Sequence, residues 1–221
     1  MSVLVRAEIE ERITSGDLAF TPELDDLQMQ AHSVDLRLGF TFLVPRQWQV
    51  TERGRVALTF DHLEGGNQQF DVVELEPGQY FEVLVGEGVI ASTLERISLP
   101  NDLVGHLYPR SSVNRRGLAV DLSGIVDAGY QGNLIIPVHN NSLSRVVRIY
   151  PGERFCQLTF TRLTGPATPR ASRYQNKDII VGVLPEHDPD EVDLIRHGHI
   201  EELKRRFQVR SRGGEEHSEE E

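Results

Sequence analysis

This chain has one cysteine, only two lysines and no long apolar run. Cys156 is the only cysteine among the 221 residues, so it cannot form an internal disulfide or build a structural zinc site. We expect it to be a small buried residue in a strand. No apolar run approaches the roughly 20 residues that a membrane helix needs. Charges interrupt the apolar N-terminal stretch MSVLVRAEIEERI, which argues against a secretory signal and predicts a cytoplasmic protein with no membrane partner.

Positive charge is scarce as well. The formal net charge is −11 and the pI is about 5.2, which argues against broad electrostatic binding to nucleic acid. Only Lys177 and Lys204 are lysines, and the other 21 of the 23 basic residues are arginines. Arginine presents a planar fork that suits carboxylates and phosphates, although a bias in genome composition explains the same excess.

Short apolar runs separated by turn residues predict a mainly β fold. Val34, Leu36 and Leu38 alternate with polar residues in SVDLRLGFTFLV, as in a half-buried strand. Residues 46–69 are polar and predict hairpins or an excursion from the sheet. From Phe70 onward strand-like runs recur at short intervals, separated by Pro-Gly and Pro-Asn pairs, which is typical of a β-barrel or sandwich.

Helical signals are few. Residues 7–16 predict a short helix that stops at Gly16, and residues 112–116 predict a single helical turn. Apolar residues at roughly helical spacing predict one further helix at about residues 190–208. The segment 161–182 lacks alternation and predicts an arm that lies on another surface.

Three parts follow from these patterns. Residues 1–182 are expected to form the β domain. Residues 183–208 hold a linker, acidic at 185–191, and the C-terminal helix. Residues 209–221 form an acidic tail that we expect to be disordered.

The segment PRSSVNRRG carries groups that suit a phosphate. Arg110 and Arg115 are permanent positive charges, and Ser111 and Ser112 offer hydroxyl donors where a short helix is expected to begin. Free N–H groups at a helix N-terminus also favour anions. A serine-capped helix with solvated arginines is the alternative interpretation.

Two later segments add further polar groups. Asp127 lies between two strand-like runs in SGIVDAGYQG, where an aspartate usually serves turn geometry. Tyr130 is equally consistent with an ordinary hairpin aromatic. Gln157 falls in the predicted strand FCQLTF, where its amide must find hydrogen bonds.

Together these segments resemble the trimeric dUTPase and dCTP deaminase superfamily. PRSS is similar to the Pro-Arg-Ser signature of dUTPases and to the Arg-Ser-Ser signature of dCTP deaminases. By this resemblance Arg110 and Ser111 hold a triphosphate, with Ser112 and Arg115 beside them. Gln157 matches a residue that contacts phosphate or its bound water.

The hairpin segment carries the other implied roles. Gly-Ile-Val-Asp is similar to the dUTPase signature Gly-Val-Ile-Asp, which implies that Asp127 activates the attacking water. Tyr130 matches the aromatic that packs against deoxyribose and disfavours ribose. The backbone near Gly124 and Ile125 is expected to lie against the base edge.

The flanks are more similar to dCTP deaminases. A helix followed by SVDLRLG is similar to the deaminase opening, and SRYQNK is similar to the deaminase tail that closes over the nucleotide, which implies contacts from Tyr174 and Lys177. The resemblance covers about residues 1–182 and implies a dUTPase-like distorted β-barrel, jelly-roll-like, with an added C-terminal helix. It also implies a homotrimer with sites between subunits, where the arm after Phe160 reaches a neighbour. The expected ligand is a deoxynucleoside triphosphate with a Mg²⁺ that the nucleotide itself mostly holds.

One position departs from the deaminase pattern. Those enzymes use a glutamate in the strand after the hairpin turn to move protons on the cytosine ring, and alignment from Gly132 puts Pro137 there. Proline has no ionisable group, and inside a sheet it indicates an edge, a bulge or a site-facing position near the base. His139 is close in sequence, but we expect it on the opposite strand face. Zinc-based deamination is excluded because it requires a Pro-Cys-x-x-Cys pair.

Three functions remain open at this point. The leading hypothesis is a dUTPase-type diphosphohydrolase that converts dUTP to dUMP and diphosphate, with Asp127 as the general base. The second is a dCTP deaminase that uses an atypical proton carrier. The third is a non-catalytic nucleotide-binding regulator, which Pro137 and the lack of the dUTPase tail motif keep open.

Overall fold

The computed structural model describes residues 2–59, 61, 63, 69–120, 124–168, 175–181, 184 and 188–208. Strands dominate these residues, and their bounds are β1 (Ala19–Thr21), β2 (Val34–Pro45), β3 (Trp48–Thr51), β4 (Gly54–Ala57), β5 (Phe70–Glu74), β6 (Phe81–Val83), β7 (Gly88–Ser98), β8 (Leu103–Pro109), β9 (Leu118–Val120), β10 (Ile125–Val126), β11 (Gln131–Asn140), β12 (Val147–Ile149) and β13 (Arg154–Arg162). The α-helices are α1 (Arg6–Thr14), α2 (Ser111–Asn114), α3 (Pro189–Arg196) and α4 (Ile200–Arg206), and a 3-10 turn covers Ile179–Val181. None of the helices in these ranges is long and apolar enough to cross a membrane.

Most strands belong to one antiparallel sheet. Its order is β10-β8-β13-β2-β7-β11-β9, with β1 added beside β7 and β5 beside β2. Register shifts interrupt the β2–β7, β11–β7 and β13–β2 pairings, and such irregularities bend and twist a sheet. The sheet therefore curls into a half-barrel, and the predicted mainly β, dUTPase-like fold with a short N-terminal helix is confirmed.

The core lies inside this curl. Phe42, Phe155 and Phe160 are fully buried in it, and burial of one such side chain stabilises a fold by about 1.5–3 kcal/mol. Cys156 is buried between two of them, as predicted. Burial, helped by the nearby carboxylates of Glu95 and Asp35, raises the pKa of the Cys156 thiol and keeps it protonated.

Strand β2 differs from the half-buried strand that its alternation predicts. Val34, Leu36 and Leu38 are buried as expected, but Asp35 between them is also 0% exposed. The reason is that β2 lies in the middle of the sheet, between β13 and β7, and the Asp35 carboxylate is reached by Arg154 of β13 and by Arg110, which follows β8.

The chain forms two compact units, residues 1–60 with 66–184 and residues 61–65 with 185–221. In the second unit the predicted C-terminal helix is present, but as two separate helices, α3 and α4. Gly198 lies between them with φ +71°, a left-handed conformation that ends a helix. Asp188 caps α3 by accepting a hydrogen bond from the Asp190 backbone N–H at 2.9 Å, so the helix already begins inside the predicted acidic linker. The predicted disordered tail lies outside the described residues.

The predicted arm after Phe160 lies, where it is described, on its own chain. Leu163 donates a backbone hydrogen bond to Asp102, and Asn176 donates one to Gln131. Ile179 is buried in the same unit. Strand β13 itself continues to Arg162. The described part of this segment is therefore tied to its own chain by backbone hydrogen bonds, and its contact with a neighbouring copy stays a prediction.

Candidate functional site

A fully buried carboxylate, Asp35, organises the segment that contains Arg110. Its Oδ2 lies 3.2 Å from Arg110 Nε and 3.2 Å from Arg154 Nη1, and its Oδ1 accepts a 3.0 Å hydrogen bond from Gln157 Nε2. Asp35 is 0% exposed, whereas the side chains of Arg110 and Arg154 are 25% and 29% exposed. One buried negative charge therefore holds two guanidinium groups at the edge of the solvent.

Strand pairing places Arg110 and Gln157 side by side. Gln157 pairs with Tyr108 across β13 and β8, and Arg110 follows two residues later. The Arg110 backbone N–H donates to Phe155 O at 3.2 Å, and its Nη1 donates to Arg154 O at 3.1 Å. Among the described residues its Nη2 has no hydrogen-bond partner, so this group is free to bind an anion.

The serines lie in the first turn of α2, directly after Arg110. Ser111 and Ser112 are exposed, and so is Arg115, which caps the end of α2. A single turn has only a small helix dipole, because the dipole grows with aligned peptide units. Attraction for phosphate at this position would therefore come mainly from the guanidinium groups, the hydroxyls and free backbone N–H groups.

The segment between β10 and β11 exposes the carboxylate of Asp127. Asp127 is exposed directly after β10, and its carbonyl accepts a hydrogen bond from the Tyr130 N–H at 3.1 Å. Gly124 has φ +83°, and Ile125 is 62% exposed. The groups expected to contact a base thus lie on an accessible edge of the sheet.

Tyr130 is fixed more firmly than an ordinary hairpin aromatic. It is half-buried, and its hydroxyl donates to Asn133 O at 2.7 Å. Burial raises the pKa of the Tyr130 phenol, so it stays a hydrogen-bond donor near neutral pH. Gly132 has φ +150°, and a Cβ there would lie 2.9 Å from the Tyr130 hydroxyl, so this ring position requires glycine.

Asp127 and Arg110 do not meet within one chain. Val126 pairs with Gly105, which sets Asp127 level with Val104, six residues before Arg110. Six residues of strand span about 20 Å. Within one chain the Asp127 carboxylate therefore does not lie over Arg110 and Ser111, because the length of β8 separates them.

The predicted face of His139 is also wrong. In β11, Ile136 and Val138 are buried, whereas Pro137 and His139 are both half-buried. Side chains alternate along a strand, so residues two apart share a face. His139 therefore lies on the same outward face as Pro137. The ladder with β9 starts at Val138, so Pro137 lies just beyond the described part of that pairing.

The sequence patterns did not predict two residues of the Arg110 cluster, and one predicted contact residue lies apart from it. Asp35 and Arg154 complete the Arg110 cluster, and the only sequence signal for them was a charged residue inside each of two apolar strands, DLRLG and ERFCQL. Lys177 is exposed in the segment that follows Asn176, away from α2 in sequence. Tyr174 lies outside the described residues.

The site offers few ligands for a metal. Among the described residues no group of three or more His, Cys, Asp or Glu side chains could hold a metal ion. Asp35 is already engaged by arginine and glutamine donors. These residues fit a Mg²⁺ that triphosphate oxygens and water would hold, which is a common arrangement for this ion.

Comparisons with known proteins identify the family to which the chain belongs. The family model described as dCTP deaminase-like matches residues 3–163. The dCTP deaminase of Natronomonas pharaonis is 36% identical over 184 residues, covering 79% of this chain and 90% of that protein. A protein of Dictyoglomus thermophilum named dCTP deaminase, dUMP-forming, has the same identity and coverage.

A solved structure shares the fold. The 2'-deoxycytidine 5'-triphosphate deaminase of Agrobacterium tumefaciens superimposes with a TM-score of 0.55 at 22% identity, over 72% of this chain. The match spans about half of that chain, 47%. With the family model covering most of the β unit, the conclusion is direct: this chain belongs to the dCTP deaminase-like family.

Proposed function

We propose that the protein is an enzyme of pyrimidine deoxynucleotide metabolism that binds dCTP and releases ammonia from it. The proposal rests on the cluster in which buried Asp35 holds Arg110 and Gln157 at the solvent edge. Arginine binds phosphate through two parallel hydrogen bonds, and the exposed hydroxyls of Ser111 and Ser112 lie next to it. The names of curated relatives at 36% identity favour dCTP as the nucleotide.

A homotrimer with shared sites fits the separation of the two halves. The phosphate-binding half at Arg110 and the base-binding half at Asp127 lie about 20 Å apart along β8. Both halves of one chain lie on the same β8 edge but at its two ends, so a single copy does not gather these groups around one point. We therefore place each nucleotide between two copies, with Arg110 from one copy and Asp127 from the next.

Within such a site different residues of the chain would contact the triphosphate and the deoxyribose. The triphosphate is held by Arg110, Arg115 and the two serines, and the arginines neutralise its charge. Gln157 helps to position Arg110, because both side chains contact the Asp35 carboxylate. Tyr130 packs against deoxyribose and leaves no room for a 2'-hydroxyl. A Mg²⁺ bound with the nucleotide would supply further charge neutralisation at the phosphates.

Hydrolysis between the α and β phosphates is the second candidate. It is favoured by the exposed carboxylate of Asp127, which is placed to take a proton from water, and by Pro137 at the deaminase glutamate position. The relative named dUMP-forming illustrates that both steps occur in one protein, since dUMP arises from dCTP only by loss of ammonia and of diphosphate. The two candidates are therefore compatible.

Product analysis separates these functions. Purified protein would be incubated with dCTP or dUTP and Mg²⁺, ammonia measured by a coupled assay and phosphates by ³¹P NMR. Ammonia from dCTP supports the main proposal. Diphosphate without ammonia would replace it with the hydrolase, and tight binding with no product would make the protein a nucleotide-binding regulator.

A further inference from the structure

The start of β11, directly after Tyr130, is held by the neighbouring strand β7. Asn133 Nδ2 donates to Thr93 O at 2.9 Å and to Leu94 O at 3.3 Å. The β7–β11 ladder shifts register just after Asn133, and an irregularity of this kind can re-aim a side chain. Asn133 O in turn accepts the hydrogen bond from the Tyr130 hydroxyl. The position of the Tyr130 ring therefore depends on the position of Asn133.

A later part of the chain contacts the same segment. The Asn176 backbone N–H donates to Gln131 O at 2.9 Å. A Cβ built at Gly132 would lie 3.5 Å from the Asn176 nitrogen and 2.9 Å from the Tyr130 hydroxyl. The Asn176 backbone and the tip of the Tyr130 ring thus adjoin the same glycine. Ile179, three residues further on, is buried, so this segment is packed on its own chain.

Arg96 fixes the side chain of Asn176. Among the described residues other than glycine, only Asn176 has a left-handed backbone, with φ +59°, which asparagine tolerates better than most residues. Arg96 Nη2 donates to Asn176 Oδ1, and because a guanidinium only donates hydrogen bonds, the amide oxygen has to face it. Arg96 also lies directly opposite Asn133 in the β7–β11 ladder. One arginine therefore connects the strand that holds Asn133 to the residue that adjoins Gly132.

We propose that Arg96 and Asn176 are positioning residues for sugar recognition, a role that rests on the function proposed above. Through Gln131 and Gly132 they hold the segment after Tyr130, so that its ring stays where it packs against deoxyribose. A ribose needs room for one more hydroxyl, and a ring that can shift supplies that room. The pair therefore sets how strongly dCTP is preferred over CTP, and neither side chain has to touch the nucleotide.

Removal of either side chain tests this role. Asn176→Gly deletes the amide oxygen and keeps a residue that readily adopts a left-handed φ. We expect the ratio of dCTP affinity to CTP affinity, measured by calorimetry, to fall about fivefold, the usual effect of losing one hydrogen bond. Arg96→Gln should lower the ratio equally, and the double variant should lower it no further, because both changes remove the same contact. The melting temperature should stay close to that of wild type.

Two further variants separate sugar recognition from general effects. Asn176→Asp keeps an acceptor oxygen for Arg96 and tolerates the same backbone conformation. The ratio should therefore be preserved, even where the added charge weakens the binding of both nucleotides. Arg46→Gln, which removes an exposed ion pair with Asp71, is the matched control and should leave the ratio unchanged.

Affinities do not require turnover, so the experiment distinguishes two kinds of failure. If wild type prefers dCTP and both Asn176→Gly and Arg96→Gln keep that preference, the pair has no role in sugar recognition, while the proposed function stands. The same conclusion follows if wild type binds dCTP and CTP equally, or if Asn176→Asp loses the preference as fully as Asn176→Gly. If wild type binds neither nucleotide, the proposed function fails and this inference fails with it.

Discussion

Asp127 and Arg110 lie at opposite ends of strand β8, about 20 Å apart along the sheet. The first belongs to the edge where a base would bind, and the second to the cluster around buried Asp35. No side-chain movement closes such a gap, because β8 pairs with β13 along its whole length. This separation is the reason for the proposal above that each nucleotide binds between two copies of the chain.

Shared sites predict complementation between two inactive variants. Arg110→Ala and Asp127→Asn should each lose the nucleotide turnover that wild type shows, because one lacks phosphate binding and the other lacks the carboxylate at the base-binding edge. Co-expressed with different affinity tags and purified through both tags, mixed assemblies should regain part of the activity. Assemblies of either single variant serve as controls. A mixed assembly as inactive as its parents would contradict sites formed between copies.

Loss of the Asp35 charge should cost stability and phosphate affinity together. Asp35→Asn leaves Arg110 and Arg154 without a counter-charge, and removal of one partner from a buried ion pair typically costs about 3–5 kcal/mol. Urea unfolding would measure the change. Asp71→Asn, which removes an exposed partner of Arg46, is the matched control and should change little. Equal losses of unfolding free energy in the two variants would show that the buried ion pairs of Asp35 stabilise the fold no more than an exposed pair does.

Discrimination between dCTP and CTP should depend on Tyr130. Its ring is held by the hydrogen bond to Asn133 O and by the lack of a side chain at Gly132. We expect Tyr130→Ala to reduce the ratio of kcat/KM for dCTP to that for CTP about tenfold or more, since one close packing contact is worth about 1–3 kcal/mol. Tyr130→Phe keeps the ring and should preserve the ratio. An unchanged ratio in Tyr130→Ala would remove the sugar-packing role.

The buried acid Glu95 should make stability fall as pH rises. Glu95 is 1% exposed, and burial raises the pKa of its carboxyl although Gln28 and the Arg37 N–H donate to it. The native state then holds this proton more tightly than the unfolded chain. Its contribution is fully present below the ordinary glutamate pKa and is lost as pH rises through the raised native pKa.

Urea unfolding at several pH values, compared between wild type and Glu95→Gln, isolates this contribution. The difference between their unfolding free energies should favour wild type most at the acid end of the range and decline as pH rises. A difference that is constant with pH would contradict the raised pKa.

Local patterns predicted the strands and the family-specific segments because alternation and turn residues are short-range signals. Asp35 shows the limit of such signals. The pattern of β2 predicts that it faces solvent, and only Arg110 after β8 and Arg154 in β13 explain its burial. The break in the C-terminal helix was missed for a similar reason, since its apolar spacing continues past Gly198 while the helical backbone does not. The distance from Asp127 to Arg110 depends on strand pairing, which no local pattern contains.

The central claim is that this cluster binds dCTP so that its amino group is lost. The most direct measurement uses dCTP labelled with ¹⁵N at the exocyclic amine, incubated with the protein and Mg²⁺ and followed by NMR. The account predicts that the label appears as ammonium while a uracil nucleotide accumulates in equal amount. Label that stays in the nucleotide, at protein concentrations where dCTP is bound, would contradict it.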